Sequence, residues 1–380
     1  MDARNGAAPA FGLSRQERIL DELRQYGSVR VSELSKLLGV AELTVRRDIS
    51  RLADRGLLTR VHGGATLRSR LDSSVPRAGI VAETPLFRIG MVVPSLTYYW
   101  PQIIIGARAA ATTGGSQLIL RAASYSSADQ RRQITSLIGS GYLHGLIVAP
   151  NASGPDGIAL LHWLASLPIP VVLAERRAPS SLALTSLEWA TTDHTHGGIL
   201  AGEYLASLGH TRVGLVTSVD SPTSAPLRRG WERAVSDLGL TSLVDQDLAL
   251  EAMEGPDRDD VIQLLLARCA STGTTALLIH SDRQAVLVQQ SARDNGWEVP
   301  DDLAIMAYDD EVAESAEPPI TALRPPKQDV GRVAVELMLG RLTGGATRPR
   351  QHTFLLPELK ARGSTATRTA HTAGASVDAP

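Results

Sequence analysis

From Ile89 to Met306 the chain alternates strand-sized apolar runs with helical stretches, a pattern few folds satisfy. The runs are Ile89–Val93, Gln117–Leu120, Leu146–Ala149, Val171–Ala174, Val213–Val216, Ala276–Ile279 and Leu303–Met306. Helix candidates between them include Gln102–Thr112, Ala128–Ile138, Thr195–Leu208, Ala225–Leu238, Arg258–Ala270 and Arg283–Asn295. Parallel neighbours need a crossover long enough to hold a helix, so this repetition predicts parallel sheets covered by helices. A run this long fits two Rossmann-like lobes better than one oversized sheet. The expected class is α/β, and ligands in such folds bind in the crevice at the carboxyl ends of the strands.

The residues that follow those strands are therefore the site candidates. Ile89–Val93 leads to Tyr98-Tyr99-Trp100, an aromatic cluster in a chain with only 3 Phe, 7 Tyr and 5 Trp. Val171–Ala174 leads to Glu175-Arg176-Arg177, Ala276–Ile279 to His280-Ser281-Asp282, and Leu303–Met306 to Tyr308-Asp309-Asp310. Carboxylates and guanidinium groups bond hydroxyls, and an aromatic ring packs on the apolar face of a sugar. Together they suit a polyhydroxylated ligand. Plainer roles stand beside these: Asp282 as a helix cap, Trp100 as core, Glu175 and Arg176 as a mutual ion pair.

The N-terminal region has another character. Between Ser14 and Arg70 lie 12 Arg or Lys against 7 Asp or Glu, whereas the whole chain carries a net charge of −2. A basic head on an acidic body suits a polyanion-binding unit. Ile19, Leu20 and Leu23 form a helical stripe in Gln16–Gln25. A second helix is expected over Val31–Leu38, with Ser32 as N-cap and Gly39 as its stop, and a third from Ala41 to Asp54. Leu57–Val61 and the His62-Gly63-Gly64 turn then predict a hairpin, giving a helix-turn-helix with a wing.

At about 100° per residue, Val45, Ile49 and Leu52 of the third helix share one side and face the core. Opposite lie Leu43, Arg47 and Ser50, flanked by Thr44, Arg46 and Arg51. In a major groove Arg bonds guanine bidentately and Leu43 touches a thymine methyl. Arg60 and His62 on the wing suit phosphate or the minor groove. The expected partner is double-stranded operator DNA.

Glu33-Leu34, Val40, Thr44–Asp48 and Arg60–Ala65 resemble the DeoR-type winged helix-turn-helix signature over residues 14–67. Where that family places a capping serine this chain has Ala41. A lost cap costs ~1 kcal/mol, so the helix is expected to fray until DNA orders it. Residues 88–363 resemble the LacI-type effector domain, which is related to periplasmic sugar-binding proteins. The markers include Ile89-Gly90, His144–Ile147, Thr192-Asp193, Gly230-Trp231, Ser281-Asp282 and Leu355–Ser364. That likeness implies ligand contact by Trp100, Glu175 and Asp282, two lobes joined by crossovers near 185–192, 312–320 and 324–328, and a homodimer helped by the first lobe. Where many of its members carry a ligand-clamping arginine, this chain has Ala225, with Arg228 or Arg229 as stand-ins. No hinge helix is recognisable in residues 68–87, which read as a linker; residues 1–13 and 364–380 read as disordered.

These readings imply a repressor of a carbohydrate-utilisation operon, dimeric or tetrameric, relieved by a sugar-like effector between the lobes. Alternatives are a nucleoside or other small metabolite as effector, or a ligand required for DNA binding. A solute-binding protein is disfavoured by the fused DNA head and by the lack of a leader-like apolar run in Met1–Leu13. A cytoplasmic location is expected. No phosphate-loop or nucleophile motif appears, so catalysis is not expected. Asp309-Asp310 and the pair His194 and His196 lack the further ligands a metal needs, so no cofactor is expected.

Overall fold

The structure, a computed structural model, describes residues 18–19, 22–23, 28–54, 58–61, 64–67, 86–179, 181–253 and 255–365. The chain divides into two units, residues 1–84 and 85–380.

In the first unit β1 (Ser28–Arg30), α1 (Val31–Leu38), α2 (Glu42–Asp54), β2 (Leu58–Val61) and β3 (Gly64–Leu67) follow in order. The described residues of the first expected helix, 18–19 and 22–23, are helical. The hairpin β2–β3 is antiparallel, and β1 joins its far side in the order β1-β3-β2. A Cβ at Gly64 would run into the Val29 carbonyl, which is why glycine opens β3. Ser32 does not cap α1. The extended residue is Arg30, whose backbone N–H donates to Glu33 Oε2 at 3.3 Å. Gly39, with φ +64°, closes α1 in the left-handed conformation that favours glycine. Ile19, Leu23, Val31, Leu34, Val45, Ile49, Leu52 and Leu58 form the small core.

The second unit holds two sheets. The first lobe contains β4 (Arg88–Val93), α3 (Trp100–Thr113), β5 (Gln117–Ala122), α4 (Ser127–Gly139), β6 (Gly145–Val148), α5 (Gly154–Ala165), β7 (Val171–Ala174) and β8 (Glu188–Thr192). The second contains α6 (His194–Ser207), β9 (Arg212–Ser218), α7 (Ser224–Asp237), β10 (Thr241–Leu248), α8 (Gly255–Thr272), β11 (Ala276–His280), α9 (Asp282–Asp294), β12 (Ala304–Tyr308) and β13 (Thr321–Arg324). The chain then returns α10 (Lys327–Gly344) and β14 (His352–Leu355) to the first lobe and β15 (Glu358–Lys360) to the second.

Strand order is β14-β8-β7-β6-β4-β5 in the first sheet and β10-β9-β11-β12-β13-β15 in the second. All pairings in these sheets are parallel except that of β15 with β13. Strands such as β6, β7, β11 and β12 are buried along their whole length, as central parallel strands covered on both faces must be. Helices α6 and α7 approach so closely that a Cβ at Gly230 would strike the Thr195 carbonyl.

The chain therefore crosses between lobes at Asp193, at Pro325-Pro326 and at Leu356-Pro357. The crossing expected at 312–320 is not one. That stretch stays in the second lobe, leading from β12 to β13, with Ala313 and Ile320 buried in its core. Two expectations about the ends also change. Leu86 and Phe87 are not linker but edge the first lobe, with the Leu86 N–H donating to the Gly115 carbonyl at 2.9 Å. Ser364 and Thr365 are buried, and Ser364 Oγ accepts the Thr321 N–H at 2.8 Å. The rest of the expected linker and tail lies outside the described residues. No helix among the described residues is long and apolar enough to cross a membrane.

Candidate functional site

Helix α2 divides cleanly between two faces. Val45, Ile49, Leu52 and Asp48 are buried, while Leu43 is 62% exposed and Arg46 and Arg47 stand in solvent. Thr44 and Ser50 are half-buried at its margins. Arg46 reaches Glu42 at 3.1 Å, an exposed pair one turn apart that contributes little stability and leaves the guanidinium available. The Thr44 and Val45 amides both donate to the Ala41 carbonyl, and the alanine side chain offers no acceptor to this first turn. The side chains of Arg51 and Arg60, and all of His62, lie outside the described residues.

In the second unit the loops at the carboxyl ends of both sheets face one crevice. A cavity of about 440 Å³ lies there, lined by Tyr98, Tyr99, Trp100 and Arg176 from the first lobe and by His280 and Asp309 from the second. A neighbouring cavity of about 490 Å³ is lined by Glu175, Arg176 and Arg177 with His194 and Arg229. The two meet at Arg176, Ser221 and Pro222. Non-glycine residues with left-handed backbone gather on these loops: Tyr98 (φ 57°), Glu175 (56°), Asp220 (58°), Asp309 (110°) and Asp310 (54°). Such strain is typical of ligand sites, where surrounding structure holds it in place.

Several sequence candidates hold the cleft together instead of facing it. Asp282 is fully buried and lines neither cavity. Its Oδ2 accepts the backbone N–H groups of Glu311, Val312 and Ala313 at 2.7, 2.7 and 3.1 Å. Its Oδ1 accepts the hydroxyl of Tyr98, which also lies 3.2 Å from Asp309 Oδ2. Tyr308 is buried beneath the site, its hydroxyl 2.8 Å from His194 Nδ1. Arg228 points to β10 and pairs with Asp245 and Asp247 at 2.9 Å each, so it does not replace a clamp. It is Arg229 that lines a cavity, beside Ala225. Arg176 does not pair with the Glu175 carboxylate; its Nη1 donates to the Glu175 carbonyl at 2.6 Å, and its guanidinium lies over Trp100 at 5.2 Å.

Burial and pairing compete in the electrostatics here. Burial opposes ionisation of Glu175, yet hydrogen bonds and charge from His194, with donation by Tyr99 and Thr192, outweigh it and hold the carboxyl at about 2. Asp309 is pushed the other way, raised by burial and by the nearby Asp282 charge, with Lys327 opposing. Burial, then the charges of His194 and Arg176, lower His280 to about 3. Among the described residues no group of three or more His, Cys, Asp or Glu could hold a metal ion.

The sequence candidates omitted Tyr125, Asn151, Glu251 and the Ser218–Thr223 loop, all of which line the first cavity. Three of these signals were available. Tyr125, Asn151 and the 218–223 loop follow β5, β6 and β9, so the same strand-end rule extends to them.

Residues 15–70 match the DeoR-like helix-turn-helix domain, and residues 203–365 match the periplasmic binding protein-like domain. The chain joins a DeoR-type helix-turn-helix to a periplasmic-binding-protein-like domain. It is 26% identical over 338 residues to the arabinose metabolism transcriptional repressor of Geobacillus stearothermophilus, covering 88% of this chain and 90% of that one. It is 25% identical over 348 residues to the ribose operon repressor of Escherichia coli K12, covering 88% and 99%. In fold it resembles a LacI family transcriptional regulator from Enterococcus faecium with bound ribose, at 20% identity and a TM-score of 0.57 over 74% of this chain and 99% of that one. The periplasmic-binding-protein-like architecture spans both lobes, further than the matched segment alone.

Proposed function

We propose that this chain is a sequence-specific DNA-binding transcriptional repressor of carbohydrate utilisation, relieved by a sugar-like effector bound between its lobes. The observation that carries the reading is the division of α2, with Val45, Ile49 and Leu52 inside and Leu43, Arg46 and Arg47 outside. A helix anchored this way presents side chains that fit base edges in a major groove. The arabinose and ribose repressors among its relatives support carbohydrate as the effector class. The cleft suits it chemically, with the exposed ring of Tyr125 beside carboxylate, hydroxyl and amide groups, while Trp100 is buried under Arg176.

A homodimer would place two such helices about 34 Å apart, one turn of DNA, on a two-fold operator. The effector shifts DNA affinity only through its different affinity for the DNA-competent and released forms. Footprinting of the full chain on DNA flanking its coding region, with and without a sugar panel, tests this. A protected two-fold site, lost on adding one sugar, is the expected result. Binding no tighter than to random DNA would overturn it.

A further inference from the structure

Three guanidinium groups, from Arg176, Arg177 and Arg229, line the cavity of about 490 Å³. None has an ion-pair partner among the described residues: Arg176 bonds a backbone carbonyl, Arg177 lies 5.9 Å over the Phe354 ring, and Arg229 is exposed. By contrast, Arg228 is neutralised by Asp245 and Asp247, and Arg341 by Glu188. The two carboxylates in this cavity are already engaged. Glu175 accepts from Tyr99 and from the Thr192 N–H at 3.0 Å, with His194 Nε2 at 3.3 Å. Asp193 caps α6 by accepting the His196 N–H at 3.0 Å.

Further features at the same place favour negative charge. The 14-residue helix α6 begins there, with His194 and Thr195 lining the cavity, and the first amides of a helix have no intrahelical partner. Thr192, 2% exposed, lines it too, and its Oγ1 has no hydrogen-bond partner among the described residues.

We propose that this cavity takes the anionic group of the effector, so that the ligand is a carbohydrate bearing a phosphate or a carboxylate. The sugar ring occupies the adjoining cavity against Tyr125, and the anion passes Arg176 to reach Arg177 and Arg229. The identity of the ring rests on the carbohydrate reading above; the anion does not. Planar guanidinium groups bond phosphate and carboxylate oxygens bidentately, which gives direction as well as charge.

Calorimetric titration of the full chain tests it. The probes are neutral pentoses, hexoses and disaccharides, their phosphate esters, the matching uronic acids, and inorganic phosphate. An ester or uronate is expected to bind at least about tenfold tighter than its parent sugar, the order of one charge-assisted hydrogen bond. Arg229→Gln and Arg177→Gln, both at exposed side chains, are each expected to shrink that ratio. Which of ester and uronate binds better assigns the anion as phosphate or carboxylate. Neutral sugars binding as tightly as the charged ones would overturn the anionic assignment and keep the carbohydrate reading. Inorganic phosphate binding, with no sugar of any kind, would keep the anion site and overturn the carbohydrate. Absence of all binding would overturn both.

Discussion

The Tyr98 hydroxyl, carried on the loop after β4 of the first lobe, donates to the Asp282 carboxylate at the start of α9 in the second. The carboxylate that a likeness to sugar-responsive regulators marks for ligand is thus held by the protein's own phenol. Arg283 covers the Tyr98 ring at 4.2 Å, so the aromatic is gripped on its face as well as at its hydroxyl. The lobes are joined by a contact of the kind a sugar hydroxyl would make.

Removing that hydroxyl should loosen the contact between the lobes. A hydrogen bond to a charged group contributes about 1.5–3 kcal/mol, so Tyr98→Phe is expected to lower the melting temperature of the sensor by a few degrees. It should also enlarge the radius of gyration in small-angle scattering as the lobes part. An unchanged melting point and radius would show that the contact holds nothing.

Asp282→Ala separates a structural carboxylate from a ligand-binding one. It strips the acceptor from three backbone amides, of which that of Ala313 is buried, and a buried unsatisfied group costs about 1–3 kcal/mol. Thermal unfolding should therefore show a loss of about 1–3 kcal/mol. Wild-type stability combined with weaker effector binding would return Asp282 to the ligand.

Acid should weaken the second unit through Glu175. Its carboxyl lies at about 2 in the folded protein against an ordinary value of 4.5, so the unfolded chain takes up the proton first. The stability it contributes is complete above about pH 4.5 and is lost as pH falls toward 2. Glu175→Gln should flatten that limb of a melting-temperature profile; a profile parallel to wild type would contradict the burial and pairing described.

Much of this fold was legible because central parallel strands are continuous apolar runs. β6, Gly145–Val148, and β7, Val171–Ala174, need no partner to be recognised. The edge strand β10, Thr241–Leu248, carries Asp245 and Asp247 and shows no such run. Helix α10 hides for another reason: Gln328, Asp329, Arg332 and Glu336 form an exposed polar face, but the buried Lys327 and Arg341 interrupt its apolar side. The third crossing passes through Leu356-Pro357, a dipeptide with no pattern of its own.

The site was half legible for a related reason. Strand-end reasoning finds which loops meet, as with Tyr98–Trp100 and Glu175-Arg176. It does not say which side chain faces the space and which holds the loop. Tyr98 and Asp282 are 184 positions apart, and nothing local marks them as partners. Arg228 and Arg229 are neighbours on α7, yet one is tied to β10 and the other lines the cavity, a matter of helix phase alone.

The start of α2 offers a gain-of-stability test. Ala41→Ser supplies an acceptor to the first turn and should stabilise that helix by ~1 kcal/mol. Slower amide exchange at the start of α2, in protein free of DNA, is the expected readout. No change would show that the turn is already fixed by the Ala41 carbonyl.

The account stands most directly on Arg47, exposed on the outer face of α2. Anisotropy titrations of wild type and Arg47→Ala, on the operator and on a scrambled duplex at matched salt, measure its role. Loss of a base-reading arginine costs about 1–3 kcal/mol of discrimination, so operator affinity should fall by about 5- to 150-fold. Binding to scrambled DNA should fall only as expected for one phosphate-level charge. Equal loss on both duplexes, or none on either, would contradict the assignment of α2 as the helix that reads DNA.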